Sequence, residues 1–388
     1  MTPILRVAAL GDGVTADGRH AALAAPGDLL NDDGGVIPGP HHQTPPCRHF
    51  PQCGGCQLQH LDDESYAGFV ADRVASALDG QGLSAPLRAP LVSPPDTRRR
   101  ATLHADKGLL GFTAAQSHAI VDLRECHILT PELFVLVAPL RSLLQRLGLK
   151  RRVDVHLTLS DQGADILVTG FAPEGLKAAE TLNDFCAKHG VARFAVDGGD
   201  GPETRWEPQP VTITLGGIPV GLPHASFLQA TREGEAALVA AVREATEGAK
   251  TVADLFAGLG TFALALPAKV YAAEGARDAL MALKLAANAR QRPVFAEHRD
   301  LYRRPLTVAE LNRFDAVVID PPRSGAREQA AALAECTVKR IAYVSCNPSS
   351  FARDAKLMVE AGWRIDWVQP VGQFRWSTHV ELAACFSR

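Results

Sequence analysis

A doubly wound α/β fold around a mostly parallel sheet is predicted for the last part of the chain. Three observations predict it. From Val252 to Phe386, seven apolar runs alternate with helical segments, and such alternation builds a parallel sheet with crossover helices. Two runs stop at a reactive side chain followed by proline: Ala316–Ile319 ends at Asp320-Pro321, and Ile341–Val344 runs into Ser345-Cys346-Asn347-Pro348. The carboxyl ends of strands in such sheets are where ligands bind. The last two runs, Arg364–Val371 and Val380–Phe386, are separated only by residues 372–379. A gap that short joins antiparallel strands, so the final strand is reversed.

The elements follow in order. Residues 1–45 are rich in Gly, Pro and Asp, with weak strand signals at Leu5–Leu10 and His20–Ala25; they read as a short, truncated β module and linker. Residues 46–224 read as a central α+β domain. It opens on a cysteine knot, continues with a helix over Ser65–Leu78, and shows period-two alternation at Val153–Leu159, Ile166–Thr169 and Val211–Leu215. Residues 225–388 are the doubly wound domain. Its helices are expected at Glu233–Ala245, Arg277–Ala289 and Ser350–Ala361, and its strands at Val252–Phe256, Val270–Ala273, Val294–Ala296 and the four runs above.

The 388 residues are 46% hydrophobic and 21% charged, as in ordinary globular chains. A formal net charge of −3 supplies no global attraction for nucleic acid. Such binding would rest on local runs: Arg98-Arg99-Arg100, Lys150-Arg151-Arg152 and Arg303-Arg304. Met1–Gly13 lacks the pattern of a secretory signal, and no apolar stretch reaches membrane-spanning length. The expectation is a cytoplasmic monomer with no membrane association and no implied protein partner. Eight cysteines, three of them within ten residues, suit a reducing compartment with one metal or cluster site.

Chemistry concentrates at the strand ends. Asp254-Leu255-Phe256-Ala257-Gly258-Leu259-Gly260-Thr261 reads as a strand, a glycine turn and then a helix. The turn alone also satisfies a loose dinucleotide fingerprint. Asp254, Glu274 and Asp300 at three successive strand ends favour S-adenosylmethionine, with carboxylates for its ammonium, ribose hydroxyls and adenine amine. Seven strands with a reversed last one is the class I methyltransferase arrangement. A nucleophilic Cys346 beside such a site points to a carbon that must first be activated, as at C5 of uracil. Glu381 is then the candidate base for the C5 proton. Asp320 would orient the base edge, Gln229 would donate to base or cofactor, and Phe227, Phe374 and Trp376 are candidate stacking partners.

These residues carry a resemblance. SFLQ at 226–229, DLFAGLGTF at 254–262, DPPR at 320–323, SCNP at 345–348 and HVE at 379–381 resemble the RNA uracil-5-methyltransferase family, in the family's order. The resemblance implies Cys346 as nucleophile and Glu381 as base. It implies cofactor contacts from Gln229, Phe256, Thr261, Glu274, Asp300 and Asp320. Thr261 and Thr231 replace the family's commoner Asn, and the 373–377 loop departs from the commoner Phe-Pro form.

Cys47, Cys53 and Cys56, with Cys126 from farther along, make a four-thiolate set that by spacing suits zinc or an iron–sulfur cluster equally. The family resemblance of CGGC-x-x-QH at 53–60 favours a 4Fe-4S cluster and the 23S rRNA-directed branch. Cys186, Cys336 and Cys385 are expected to pack. Two other readings compete: methylation of the tRNA T loop, and an NAD-linked iron–sulfur oxidoreductase.

Overall fold

The computed structural model describes residues Met1–Arg388. The chain divides into two compact units, each discontinuous in sequence. One comprises residues 1–65, 94–213 and 375–378; the other comprises 66–93, 214–374 and 379–388. The division differs from sequence boundaries at 45 and 224. Residues 66–93, which include most of the Asp63–Asp79 helix, join the doubly wound unit, while four residues of its last loop join the other.

In the first unit, the opening residues form more than the truncated module the sequence suggests. Thr2–Val7, Gly13–Thr15, His20–Ala21, Leu29–Leu30 and Val36–Ile37 make one five-stranded antiparallel sheet. It has its own small core of Ile4, Ala21, Ala24 and Leu30. Strands of two residues carry no periodicity, so sequence patterning cannot find them. The remainder is α+β. A six-stranded sheet is built on Arg100–Asp106, Val153–Ser160 and Gly163–Thr169. The helices Val137–Arg146 and Leu176–His189 bury their apolar faces in the core it shares.

The second unit holds an eight-stranded sheet. Its spatial order is Val294–His298, Lys269–Glu274, Thr251–Leu255, Ala316–Ile319, Arg340–Ser345, Glu381–Ser387, Arg364–Gly372 and Leu91–Val92. The first five run parallel. Glu381–Ser387 is antiparallel to both neighbours, so the reversed strand lies between the fifth and sixth in chain order. Leu91–Val92 adds a parallel edge pair that sequence patterning does not reveal. The chain moves outward from Thr251–Leu255 on one side and returns to build on the other. The carboxyl ends of Thr251–Leu255 and Ala316–Ile319 therefore flank the topological switch point.

One local expectation fails. No regular helix follows the glycine turn: residues 256–268 are turns and irregular backbone, with helical-type bonds from Leu264 N–H to Gly260 C=O at 3.0 Å and from Leu266 N–H to Phe262 C=O at 3.2 Å. Pro267 ends the stretch. No helix in the structure is long and apolar enough to cross a membrane.

Candidate active site

The glycine turn is shaped by close packing on one side and open space on the other. A Cβ at Gly260, φ +93°, would stand 2.4 Å from Leu283 Cδ1, so the Arg277–Ala289 helix can approach only a glycine. At Gly258, φ +53°, a Cβ would meet nothing within 4 Å. Phe256 holds a left-handed φ of +63°, uncommon for a bulky side chain, with its ring 5.5 Å from that of Tyr302. Glu274 Oε2 accepts the Gly258 N–H at 2.8 Å and Oε1 the Ala276 N–H at 2.6 Å, which ties the turn to the next strand end. Each oxygen retains a lone pair for a ligand hydroxyl.

Asp254 is fully buried and neither carboxyl oxygen has a hydrogen-bond partner. Burial, reinforced by the charges of Asp320 and Glu274, raises its pKa to about 8; the Ala263 amide acts the other way without reaching hydrogen-bond geometry. An orphaned buried carboxyl of this kind is matched by a ligand cation. Asp300, by contrast, is exposed; its Oδ1 accepts the N–H groups of Tyr302 and Arg303. Thr261 is half-buried just beyond the turn.

Beside the turn lie the residues with candidate chemistry. Cys346 follows the Arg340–Ser345 strand and is half-buried. The Asn347 side chain caps Ser349 N–H at 3.1 Å, and Pro348 starts the Pro348–Glu360 helix, so the chain leaves the sheet just after the thiol. Glu381 opens the Glu381–Ser387 strand and is 3% exposed. Ser345 pairs with Leu382. Cys346 and Glu381 each lie one residue past this last registered pair. Asp320 follows the adjoining Ala316–Ile319 strand.

All three groups have raised pKa values, each chiefly through burial. Burial lifts Glu381 to about 8, with the Asp320 charge adding to it and the nearby Gln373 amide opposing. Asp320 is half-buried by accessible area yet closely surrounded by protein, and that desolvation takes it to about 7. Burial takes the Cys346 thiol to about 11, helped by Glu381 and Asp320. At rest near neutral pH the thiol is protonated, and several buried carboxyls hold protons.

Two contributors escape a reading of sequence alone. Gln373 has no motif signal; it lies in a loop defined by its departures. Asp354 does carry a faint signal, an acid on the apolar face of Phe351, Ala355 and Met358. It is fully buried, accepting Tyr343 Oη–H at 2.7 Å and Ala326 N–H at 2.8 Å. Asn347 Nδ2 and Ser350 Oγ also donate to the Arg323 carbonyl, at 3.0 and 3.1 Å. The residues after Cys346 thereby grip the loop after Asp320.

In the other unit, Cys47, Cys53, Cys56 and Cys126 line one recess, walled by Phe50, Phe112, Leu123 and Ile128. A Cβ at Gly54 would stand 2.8 Å from the Thr113 carbonyl, so that glycine seats the loop against residues 113–114. No three metal-ligating side chains converge on one point. Burial raises all four thiols, Cys56 to about 12 and Cys126 to about 11. Cys186, Cys336 and Cys385 are each fully enclosed.

Two expectations about RNA contact change. Arg99 is 2% exposed and its neighbours are half-buried, with Arg98 Nε donating to the Arg100 carbonyl. That run sits within the fold and is not a phosphate clamp. Trp376 is 5% exposed and packs on Cys56 and Ile128, so it is unavailable for stacking on a base. Phe227 is 62% exposed, and Lys150–Arg152 and Arg303–Arg304 are exposed.

A parallel sheet with a reversed final strand and a glycine turn at its switch point defines a class I S-adenosylmethionine-dependent methyltransferase fold. Residues 222–388 match the family described as tRNA (Uracil-5-)-methyltransferase. The chain is 50% identical over 396 residues to an uncharacterised RNA methyltransferase of Zymomonas mobilis, covering all of both chains. It is 34% identical over 370 residues to the 23S rRNA (uracil(1939)-C(5))-methyltransferase RlmD of Chromohalobacter salexigens, covering 90% of this chain and 77% of that one. Its fold is similar to that of the Pyrococcus abyssi tRNA (uracil-54, C5)-methyltransferase solved with S-adenosyl-L-homocysteine. The TM-score is 0.76 at 21% identity, over the full length of both chains.

The chain belongs to the RNA uracil-5-methyltransferase family. It is an S-adenosylmethionine-dependent enzyme acting on RNA, and the NAD-linked oxidoreductase reading falls.

Proposed function

We propose that this enzyme methylates C5 of a uridine in 23S rRNA through a covalent bond between Cys346 Sγ and C6 of the base. The observation that supports it is the register of the last strand, whose final pair, Ser345 with Leu382, stands one residue before Cys346 and one after Glu381, with Asp320 at the end of the adjoining strand. Cys346 loses its proton and Sγ adds to C6, moving the C5–C6 π pair toward C5 and O4. Bound S-adenosylmethionine supplies an electrophilic methyl on a cationic sulfur, and C5 takes that methyl. Glu381, as carboxylate, removes the C5 proton; the C5–C6 double bond re-forms and the Sγ–C6 bond breaks. The net change is one methyl gained and one proton released.

For the cofactor, the residues present fit. Asp254 is an unpartnered buried acid suited to the methionine ammonium, and Gly258 leaves room for close backbone approach. Glu274 suits the ribose hydroxyls, Phe256, Thr261 and Asp300 the nucleoside side, and Gln229 the methionine end or the base. Asp320 orients the base edge. A target uridine unstacked from its RNA enters past the exposed Phe227.

Cys47, Cys53, Cys56 and Cys126 are proposed to hold a 4Fe-4S cluster. What supports the reading is that the four thiols line one recess, and four thiolates are the ligand set of such a cluster.

The 23S target follows the relative at 34% identity and the cysteine pattern. Labelled S-adenosylmethionine, 23S rRNA and tRNA from a strain lacking this gene test it. Methyl transfer to C5 of one uridine in 23S rRNA is expected; transfer to tRNA with none to 23S rRNA would overturn the target.

A further inference from the structure

Asp354 lies on the Pro348–Glu360 helix, and both of its buried oxygens are engaged. Oδ2 accepts Tyr343 Oη–H at 2.7 Å and the Ala326 N–H at 2.8 Å. Oδ1 accepts Arg353 Nε–H at 2.9 Å and Nη2–H at 2.7 Å. Arg353 Nη2 also donates to the Ser324 carbonyl at 2.9 Å. A backbone N–H and a guanidinium only donate, so both ends of the Asp354 side chain must accept. An amide cannot replace it. Either orientation of an asparagine would set its NH2 against one of these donors.

The partners belong to the segments that carry two residues of the site. Tyr343 is on the Arg340–Ser345 strand, which leads into Cys346. Ser324 and Ala326 belong to the loop that follows Asp320. That loop is stiff: Pro321 and Pro322 each fix a φ angle, and the Gly325 N–H donates to the Pro322 carbonyl at 2.8 Å. It also presses on the pair. A Cβ at Gly325, φ +77°, would stand 2.6 Å from both Asp354 Oδ2 and Arg353 Nη2. Nearer the thiol, Asn347 Nδ2 and Ser350 Oγ donate to the Arg323 carbonyl in the same loop.

We propose that Asp354 is a positioning residue: with Arg353 it locks the loop after Asp320 to the strand and helix that flank Cys346, and so sets the spacing between the thiol and the Asp320 carboxyl that holds the base for attack at C6. The inference rests on the reading of Cys346 as the nucleophile. Asp354 acts only through the segments it ties together. A misplacement of about 1 Å at reacting atoms costs on the order of 100-fold in rate, even when its cause is remote. None of the Asp354 partners belongs to the glycine turn or carries Asp254 or Glu274. Loss of the lock should therefore slow attack on the base and leave cofactor binding in place.

Asp354→Asn keeps the shape and removes one acceptor. With S-adenosylmethionine and 5-fluorouridine RNA, Sγ bonds to C6 and C5 takes the methyl; fluorine leaves no C5 proton to remove, so the adduct accumulates. Its single-turnover rate constant reports the geometry of folded molecules, whereas its amplitude reports how many have folded. We expect the rate constant to fall about 10- to 100-fold, with the dissociation constant for S-adenosyl-L-homocysteine changed less than about threefold. An unchanged rate constant with a lower amplitude, or a matching loss of S-adenosyl-L-homocysteine binding, would overturn the inference. Should Asp354→Asn not fold, Arg353→Lys tests the same lock at a side chain that is 42% exposed. It keeps the charge but loses the two-pronged contact, and its rate constant should fall about three- to tenfold; an unchanged one refutes the proposal. Cys346→Ala run in parallel separates the two ideas. An adduct in that variant removes the nucleophile assignment itself, whereas no adduct there and unchanged rate constants in the Asp354 and Arg353 variants remove this inference alone.

Discussion

Cys346 and Glu381 stand one step beyond the last registered pair of their two antiparallel strands, Ser345 with Leu382. The reversed final strand is therefore what brings a carboxyl from residue 381 to a thiol at residue 346. In an all-parallel sheet the carboxyl would lie at the opposite edge. The Glu381 charge also raises the cost of ionising the Cys346 thiol.

Cys346→Ala should lower turnover by at least roughly a thousandfold and abolish the covalent adduct with 5-fluorouridine RNA. Thermal unfolding should change little, because the thiol is half-buried at a loop and fills no core. Retained adduct formation would identify another nucleophile.

Glu381→Gln should still form the Cys346 bond and transfer the methyl, then stall. Product release should fall roughly 10²- to 10⁴-fold, the usual worth of a positioned base. Quantifying methylated RNA that remains bound to denatured protein checks it, and normal release would count against the assignment.

The pH dependence has a definite sign. Glu381 acts as a carboxylate, and burial places its pKa at about 8 in the free enzyme. Activity should rise with pH through that region, and the Cys346 thiol at about 11 pushes in the same direction. A kcat/KM profile already flat between about pH 6 and 8 would contradict the raised value.

Asp254 links stability to cofactor binding. Its folded pKa of about 8 lies above the ordinary 3.8. Below about pH 4 the carboxyl is neutral in both states and costs nothing; as pH rises toward 8, the unfolded chain ionises while the folded one resists, so stability is lost. Asp254→Asn should raise the melting temperature of ligand-free protein at pH 8 by about 5 °C and have almost no effect at pH 4. Binding of S-adenosylmethionine should weaken about tenfold or more, since the ammonium loses its carboxylate. Calorimetry at both pH values, with a titration of the cofactor, measures both effects.

Cys53→Ala should remove visible charge-transfer absorption from anaerobically prepared protein and lower its melting temperature, since cluster binding stabilises the folded form. Colourless native protein with bound zinc would replace the cluster by a mononuclear site.

Residues local in sequence told their own story. Asp320 and Cys346 announce themselves because each ends an apolar run beside a proline, and a strand of four or five residues has nowhere else to go. The glycine turn and the acids after successive strands are likewise fixed by chain position, and so is the reversed strand, from a loop too short for a crossover. The tertiary structure decided what depends on meetings across long separations. It made Arg99 a buried side chain where its run reads as a basic patch, and took Trp376 from a base-stacking role to a place against Cys56. It left the glycine turn without its helix, because Pro267 follows too soon. It also selected Gln373, whose partners at 229 and 230 are set by the end of one strand and the approach of one helix. Hydrogen-bond partners so far apart in sequence leave no periodic trace; only the folded sheet brings their donors and acceptors within reach.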